Sequence, residues 1–143
     1  MMYVLDTNVV SELRKVNSGK AHANVAAWAT SVDAADLFVS VISIMELELG
    51  VLALERKDPT SGAILRMWLT QHVLPTFAER TLSIDTTVAQ RCARLHVPNP
   101  RGERDALIAA TALVHGMTVV TRNVTDFQPT GVATLDPWKH KLA

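Results

Sequence analysis

Four acidic residues, Asp6, Glu46, Asp105 and Asp126, stand where a sheet-based fold gathers its chemistry, just beyond short apolar runs and at helix starts. Asp6 ends the run Met1 to Leu5 (MMYVL) and opens Asp6-Thr7-Asn8. Glu46 follows Leu37 to Val41 (LFVSV) by about one helical turn. Asp105 begins the alanine-rich stretch DALIAATALVH, and Asp126 follows Met117 to Thr121 (MTVVT) across a short loop. Carboxylates brought to one sheet edge repel one another and shift toward protonation unless a cation sits among them. Donors that are all oxygen suit a hard divalent ion, Mg2+ with Mn2+ as a substitute. One or two such ions activate water and stabilise a leaving oxygen, the chemistry of phosphodiester hydrolysis.

Each acid also has an ordinary role. Asp6 suits the N-cap of a helix, and Ser43 with Glu46 fits a capping box. Asp105 gains from a helix macrodipole and Asp126 suits a turn. The metal reading therefore rests on all four meeting. Two alternatives compete with it. An aspartyl-phosphate-type phosphohydrolase needs a second acid two residues after its nucleophile, where this chain has Asn8. A phospho-receiver or a catalytically silent metal-binding interaction module is the non-enzymatic alternative, disfavoured because no matching sheet-end lysine is present.

The elements that must position these acids follow from pattern. Strands are expected at Met1 to Leu5, Leu37 to Val41, Thr81 to Ile84, Met117 to Thr121 and Val132 to Leu135. Helices are expected over Val9 to Lys15, His22 to Ser31 and Ser43 to about Arg56, where Asp58-Pro59 breaks the pattern. From Ser61 to Val73, Ile64, Leu65, Trp68 and Leu69 share one face and Pro75 stops the helix, so two helices form a hairpin. Asp85-Thr86-Thr87 caps a helix over Val88 to Leu95; Asp105 to His115 is apolar nearly all round, hence buried, and Gly116 ends it. Arg122 to Asp126 reads as a polar loop. Short strands alternating with helices predict a three-layer α/β/α sandwich around a mostly parallel sheet. At 143 residues, with no repeat or linker, this is one domain spanning 1–143.

Composition narrows the class further. Fourteen Lys and Arg balance fourteen Asp and Glu, which argues against a strongly basic nucleic-acid surface. With four acids committed to a cation, however, ten acids face fourteen bases and phosphate binding stays open. No apolar run approaches the roughly 20 residues that cross a bilayer, so the chain is read as cytoplasmic. Cys92 stands alone, which excludes an internal disulfide and a cysteine-rich zinc site, and it is expected to fill core. The five histidines show no zinc pair and are taken as incidental; Trp28, Trp68 and Trp138 are read as core or interface.

The segments VLDTNVVSEL (Val4 to Leu13), SVISIMELELGV (Ser40 to Val51), RDALIAATALVHGMTVVTRNVTDF (Arg104 to Phe127) and Asp136-Pro137-Trp138 together resemble the PIN-domain family, specifically its VapC-type toxins of bacterial toxin-antitoxin pairs. The resemblance implies a PIN-like fold and a Mg2+-dependent endoribonuclease held inactive by a cognate antitoxin and forming a homodimer. It implies that Asp6, Glu46 and Asp105 are the first three acids. Some relatives carry the fourth directly after the Thr-Arg pair, where this chain has Asn123; others carry it three residues on, at Asp126. Asp126 is assigned as ligand or water holder and Asn123 as a hydrogen-bonding support. Asn8 and Thr121, with Thr7 and Ser43 as weaker candidates, would orient carboxylates or water. Arg104 and Arg122 flank the acids and would hold RNA phosphate. The helical hairpin from Ser43 to Val73, through Leu47, Leu49, Val51, Leu52, Leu65 and Trp68, offers apolar surface for a partner.

Overall fold

A computed structural model of the chain describes residues 1–142. Strands β1 (Tyr3–Leu5), β2 (Leu37–Ser40), β3 (Thr81–Leu82), β4 (Thr118–Val120) and β5 (Thr134–Leu135) form one sheet in the order β3-β2-β1-β4-β5. Every neighbouring pair is parallel. Each expected strand is present but shortened at its ends, where the backbone turns into a helix or loop. Helices α1 (Thr7–Leu13), α2 (Ala23–Ser31), α3 (Val41–Lys57), α4 (Pro59–Trp68), α5 (Leu74–Thr76), α6 (Thr86–Leu95), α7 (Glu103–His115) and α8 (Val124–Phe127) complete the fold.

Parallel strands are covered on both faces, so successive residues of one strand enter different cores. Tyr3, Leu5, Leu37, Val39 and Val120 pack with Val9 and Val10 of α1, Trp28 of α2 and Leu47 and Val51 of α3. Val4 and Val119 face the other way, against Ile108, Ala109 and Ala112 of α7 and Phe127 of α8. A smaller cluster of Val88, Cys92, Ala106 and Ala110 joins α6 to α7, so Cys92 does fill core. The result is the expected three-layer α/β/α sandwich. The chain runs outward from β1 to β2 and β3, then crosses back to β4 on the far side of β1. The carboxyl end of β1 is thus the point where strand order reverses, the crevice in which open parallel sheets place their sites.

Four details depart from the sequence reading. The capping box at Ser43 and Glu46 does not form: α3 starts at Val41, and Ser40 caps it by accepting the Ile42 N–H at 3.0 Å. Ser43 lies inside the helix, fully buried, and its Oγ has no hydrogen-bond partner among the described residues. Pro75 does not stop the second helix of the hairpin, because a π turn over Leu69–Val73 intervenes and the Leu74 N–H donates to the Leu69 carbonyl. That wider register takes up the missing proline N–H, and α5 continues to Thr76. Ile64 is 63% exposed rather than on the packed face, whereas Leu69 is buried. Finally, Val124 to Phe127 is a helical turn, not open loop.

The hairpin itself is tight. A Cβ at Gly62 would collide with the Glu55 backbone, so only glycine lets α3 and α4 cross this closely. Arg66 of α4 then grips Glu48 through two hydrogen bonds of 2.8 and 2.6 Å and reaches Glu55 at 3.0 Å.

Candidate metal and active site

Asp6 sits at the junction of β1 and α1, 6% exposed. Its backbone N–H donates to the Val120 carbonyl at 2.8 Å, which locks the end of β1 to β4. Its carboxylate does cap α1, accepting the Thr7 N–H at 2.8 Å on Oδ1. The other oxygen accepts the Thr121 hydroxyl at 2.7 Å and the Asn8 amide at 3.4 Å. Capping and site-building are therefore the same geometry. Thr121, fully buried, is itself held by the Asn123 N–H at 3.0 Å, and the Asn8 side-chain carbonyl accepts the Arg122 N–H at 3.4 Å. Thr121 and Asn8 thus both donate to the carboxylate of Asp6. Asn123 acts on Thr121 through its backbone N–H, not through its side chain.

Glu46, one turn into α3, accepts the Thr7 hydroxyl at 2.7 Å and lies 3.7 Å from an Arg104 guanidinium nitrogen. Asp105 is in the first turn of α7, and Asp126 is on the exposed first turn of α8, where its N–H donates to the Asn123 carbonyl. Four segments distant in sequence therefore bring their acids to one edge. Burial pushes the Asp6 carboxyl above its ordinary value; the Thr121 and Thr7 hydrogen bonds oppose this, and the charges of Glu46 and Asp126 add to it. Burial also raises Asp105, and the charges of Asp6, Asp126 and Glu46 raise it further. The acids act on Asp6 and Asp105 as repelling charges, and the donors they offer are carboxylate oxygens, although among the described residues no three of those oxygens lie within 4.8 Å of one another. Such a set fits Mg2+ or Mn2+ better than a soft ion.

The two flanking arginines differ. Arg104, about half exposed, pairs with Glu46, whereas Arg122 lays its guanidinium over Trp138 at 5.2 Å from the ring centroid. Ser43 makes no contact with an acid among the hydrogen bonds of the described residues. Thr7 has a fuller role than its weak candidacy suggested, and its signal was its place directly after Asp6.

Sequence reading also missed a trio on α6 and α7. His96 Nε2 lies 3.8 Å from Cys92 Sγ and 3.6 Å from a Glu103 oxygen. The spacing of Cys92 and His96, four apart on one helix face, was visible. His96 Nδ1 accepts the Arg101 N–H at 3.0 Å, so neutral His96 carries its proton on Nε2, facing the thiol and carboxylate. This is a hydrogen-bonded clamp on the Arg101 loop, with no free ring nitrogen to offer an ion. His22 also has a partner after all, accepting the Asn24 N–H as the N-cap of α2.

The raised carboxyls give a pH prediction. A carboxylate whose folded pKa exceeds its unfolded value favours the native state only while protonated, and that contribution fades as pH rises through the folded value. In chelator, Asp105→Asn is expected to melt with the parent below the ordinary value of 3.8 and progressively above it as pH rises toward neutral. Thermal scans across that range check this, and a gap that is flat or closes with rising pH would contradict it.

The PIN-domain family model matches residues 3–128. With this fold and this edge of acids, the chain belongs to the PIN-domain family. It is similar to "Toxin FitB" of Neisseria gonorrhoeae, 36% identical over 142 residues that span 96% of this chain and 99% of the relative. It is likewise similar to "VapC ribonuclease Y4jK" of Sinorhizobium fredii, 34% identical over 143 residues, 96% of this chain and 99% of the relative. Among solved structures, the chain matches one in "Structure of FitAB bound to IR36 DNA fragment" with a TM-score of 0.86 at 34% identity, covering 99% of each.

Proposed function

We propose that this chain is the Mg2+-dependent endoribonuclease toxin of a toxin-antitoxin pair, working in the cytoplasm as one domain and assembling as a homodimer. The observation that carries the reading is the gathering of Asp6, Glu46, Asp105 and Asp126 at the switch point of the sheet, where burial and the charges of Glu46 and Asp126 raise Asp6, and burial and the charges of Asp6, Asp126 and Glu46 raise Asp105. The names of full-length relatives, "Toxin FitB" and "VapC ribonuclease Y4jK", support the toxin and ribonuclease parts.

In this reading Asp6, Glu46 and Asp105 hold the ion, and Asp126, on the exposed rim, holds it or orients the attacking water. A bound divalent ion supplies an activated water near neutral pH and positive charge for the leaving oxygen. The chain does the positioning. Thr121 and the Thr7 N–H fix both oxygens of Asp6, and the Thr7 hydroxyl aims Glu46. Arg104, tied to Glu46 only by a 3.7 Å pair at the surface, is free to turn to an RNA phosphate. Arg122, stacked on Trp138, contributes charge at the opposite rim.

The antitoxin reading draws on a groove of about 930 Å³ between α1 and the α4–α5 stretch, lined by Val10, Leu13, Leu37, Ile64, Met67 and Trp68 among others. Ile64 and Met67 are 63% and 54% exposed, more apolar surface than a free helix face needs. A solved structure similar to this chain is titled "Toxin-antitoxin complex from Klebsiella pneumoniae", which supports a protein partner, and the groove is the surface this reading assigns to it.

The test is cleavage of end-labelled single-stranded RNA with Mg2+, with Mn2+ and with chelator. Cutting is expected with either ion and absent in chelator; cutting that persists in chelator would sink the proposal. Removing one support gives a graded result. Thr121→Val is expected to cost about 10- to 100-fold in rate at low Mg2+, with partial recovery at high Mg2+, because such supports act mainly through metal affinity. Equal loss at every Mg2+ concentration would place Thr121 outside that role.

A further inference from the structure

We propose that a cleft beside Glu46 receives a single nucleobase next to the cut and that Arg14, stacked on Trp68, reads it, with guanine favoured. The inference rests on the ribonuclease reading and deepens it by naming what sets substrate preference.

The cleft has a volume of about 230 Å³ and lies between α1 and the α3–α4 hairpin. Its near wall is Thr7 and Glu46, already joined by the 2.7 Å hydrogen bond of the acid site. An RNA strand with its scissile phosphate over the acids therefore passes the cleft mouth within one nucleotide. Its lining includes apolar Leu47 and Leu65, as a flat heteroaromatic ring needs, and polar Ser11 and Arg14. Gly50 leaves one side open, since a Cβ there meets no atom within 4 Å.

Arg14 sets the chemistry. Its guanidinium stands 5.7 Å from the Trp68 ring centroid, and no carboxylate pairs with it among the described residues. This contact biases the exposed guanidinium toward the cleft while leaving its N–H donors unpaired. An unpaired fork beside a cleft of this size matches a base edge with two adjacent acceptors, which guanine presents through O6 and N7 and an unpaired cytosine through O2 and N3; guanine is favoured because its second ring buries more face on the apolar lining. The phosphate backbone is a poorer match, because part of the lining is apolar and Glu46 repels it.

The test uses a randomised single-stranded RNA pool cut in Mg2+, followed by sequencing of the ends, with the parent chain, Arg14→Ala, Gly50→Met and Asp6→Asn. Gly50→Met fills the cleft from a position with room for a side chain and favours helix, so its fold is secure. For the parent, guanine is expected to be enriched at one fixed position beside the cut. That enrichment should fall about tenfold in Arg14→Ala, the scale of one bidentate base contact, while slower cutting continues. Gly50→Met should lose cutting preferentially at sites with guanine there. No fixed-position enrichment in the parent, or enrichment unchanged in both variants, overturns the proposal. So does loss of binding to the protein encoded beside this chain's gene with base preference intact, which would assign the cleft to that protein. Asp6→Asn separates the layers: cutting that survives it removes the ribonuclease reading as well, whereas an inactive Asp6→Asn with unaltered preference in the cleft variants removes this inference alone.

Discussion

Asp105→Asn and Asp6→Asn are each expected to reduce RNA cleavage on the order of a thousandfold or more, because each removes a full negative charge from the ion site. The loss should not come from unfolding. Among the described residues the Asp105 carboxylate has no hydrogen-bond partner to forfeit, and it is pushed up by burial and by three neighbouring acids. In chelator near neutral pH, Asp105→Asn should melt roughly 2–4 °C above the parent, the effect of about 1 kcal/mol in a chain this long. Asp6→Asn should gain less. An asparagine amide would meet the donors of Thr121 and Asn8, so relief of repulsion is offset by a worse hydrogen-bond match. The pair of results separates chemistry from stability, since activity collapses while the metal-free fold holds or improves. Asp126→Asn, on the exposed rim, should be the milder change, and loss equal to that at Asp6 would show that Asp126 is a full ligand.

The second large effect is structural. Phe127→Ala should cost about 3–5 kcal/mol, the usual range for a fully buried aromatic. Phe127 is completely buried against Val4, Ile108, Ala109 and Val119, beneath the sheet that carries Asp6 and beside the helix that carries Asp105. It also directly follows Asp126 and anchors the short helix α8. Calorimetry should show a midpoint lower by roughly 10 °C. In contrast to Asp105→Asn, the remaining folded fraction at low temperature should keep part of its cleavage. A change of less than about 1 kcal/mol would mean that this side of the core collapses onto the space, and that α8 is held by something else.

How much could be read in advance depended on whether a signal was local. Buried parallel strands announce themselves as apolar runs, and Asp6 stands directly after one, Glu46 about a turn after another and Asp105 at the start of a helix, so the fold class and the placing of these acids at one sheet edge were legible. Several misses concern where an element begins, how it passes a proline and how wide its packed face is. Ser40 and Ser43 are both competent caps, and only the abrupt passage from β2 into α3 selects Ser40 and leaves Ser43 buried without a partner. Pro75 reads as a stop because the π turn that absorbs it has no sequence signature of its own. Ile64 lies on the expected apolar stripe, yet the stripe is wider than the core it faces, and the surplus forms the groove wall. The Arg14 and Trp68 pair, fifty-four positions apart in the chain, could not be seen until α1 and α4 were side by side.

One measurement addresses the metal site without passing through activity. Crystals of the parent chain grown near neutral pH with Mn2+ should show anomalous scattering bounded by Asp6, Glu46 and Asp105, with Asp126 at its rim, and Asp105→Asn should weaken or abolish that peak. A well-ordered crystal with no peak at this edge, or with manganese held instead by Cys92, His96 and Glu103, would contradict the assignment of these four acids.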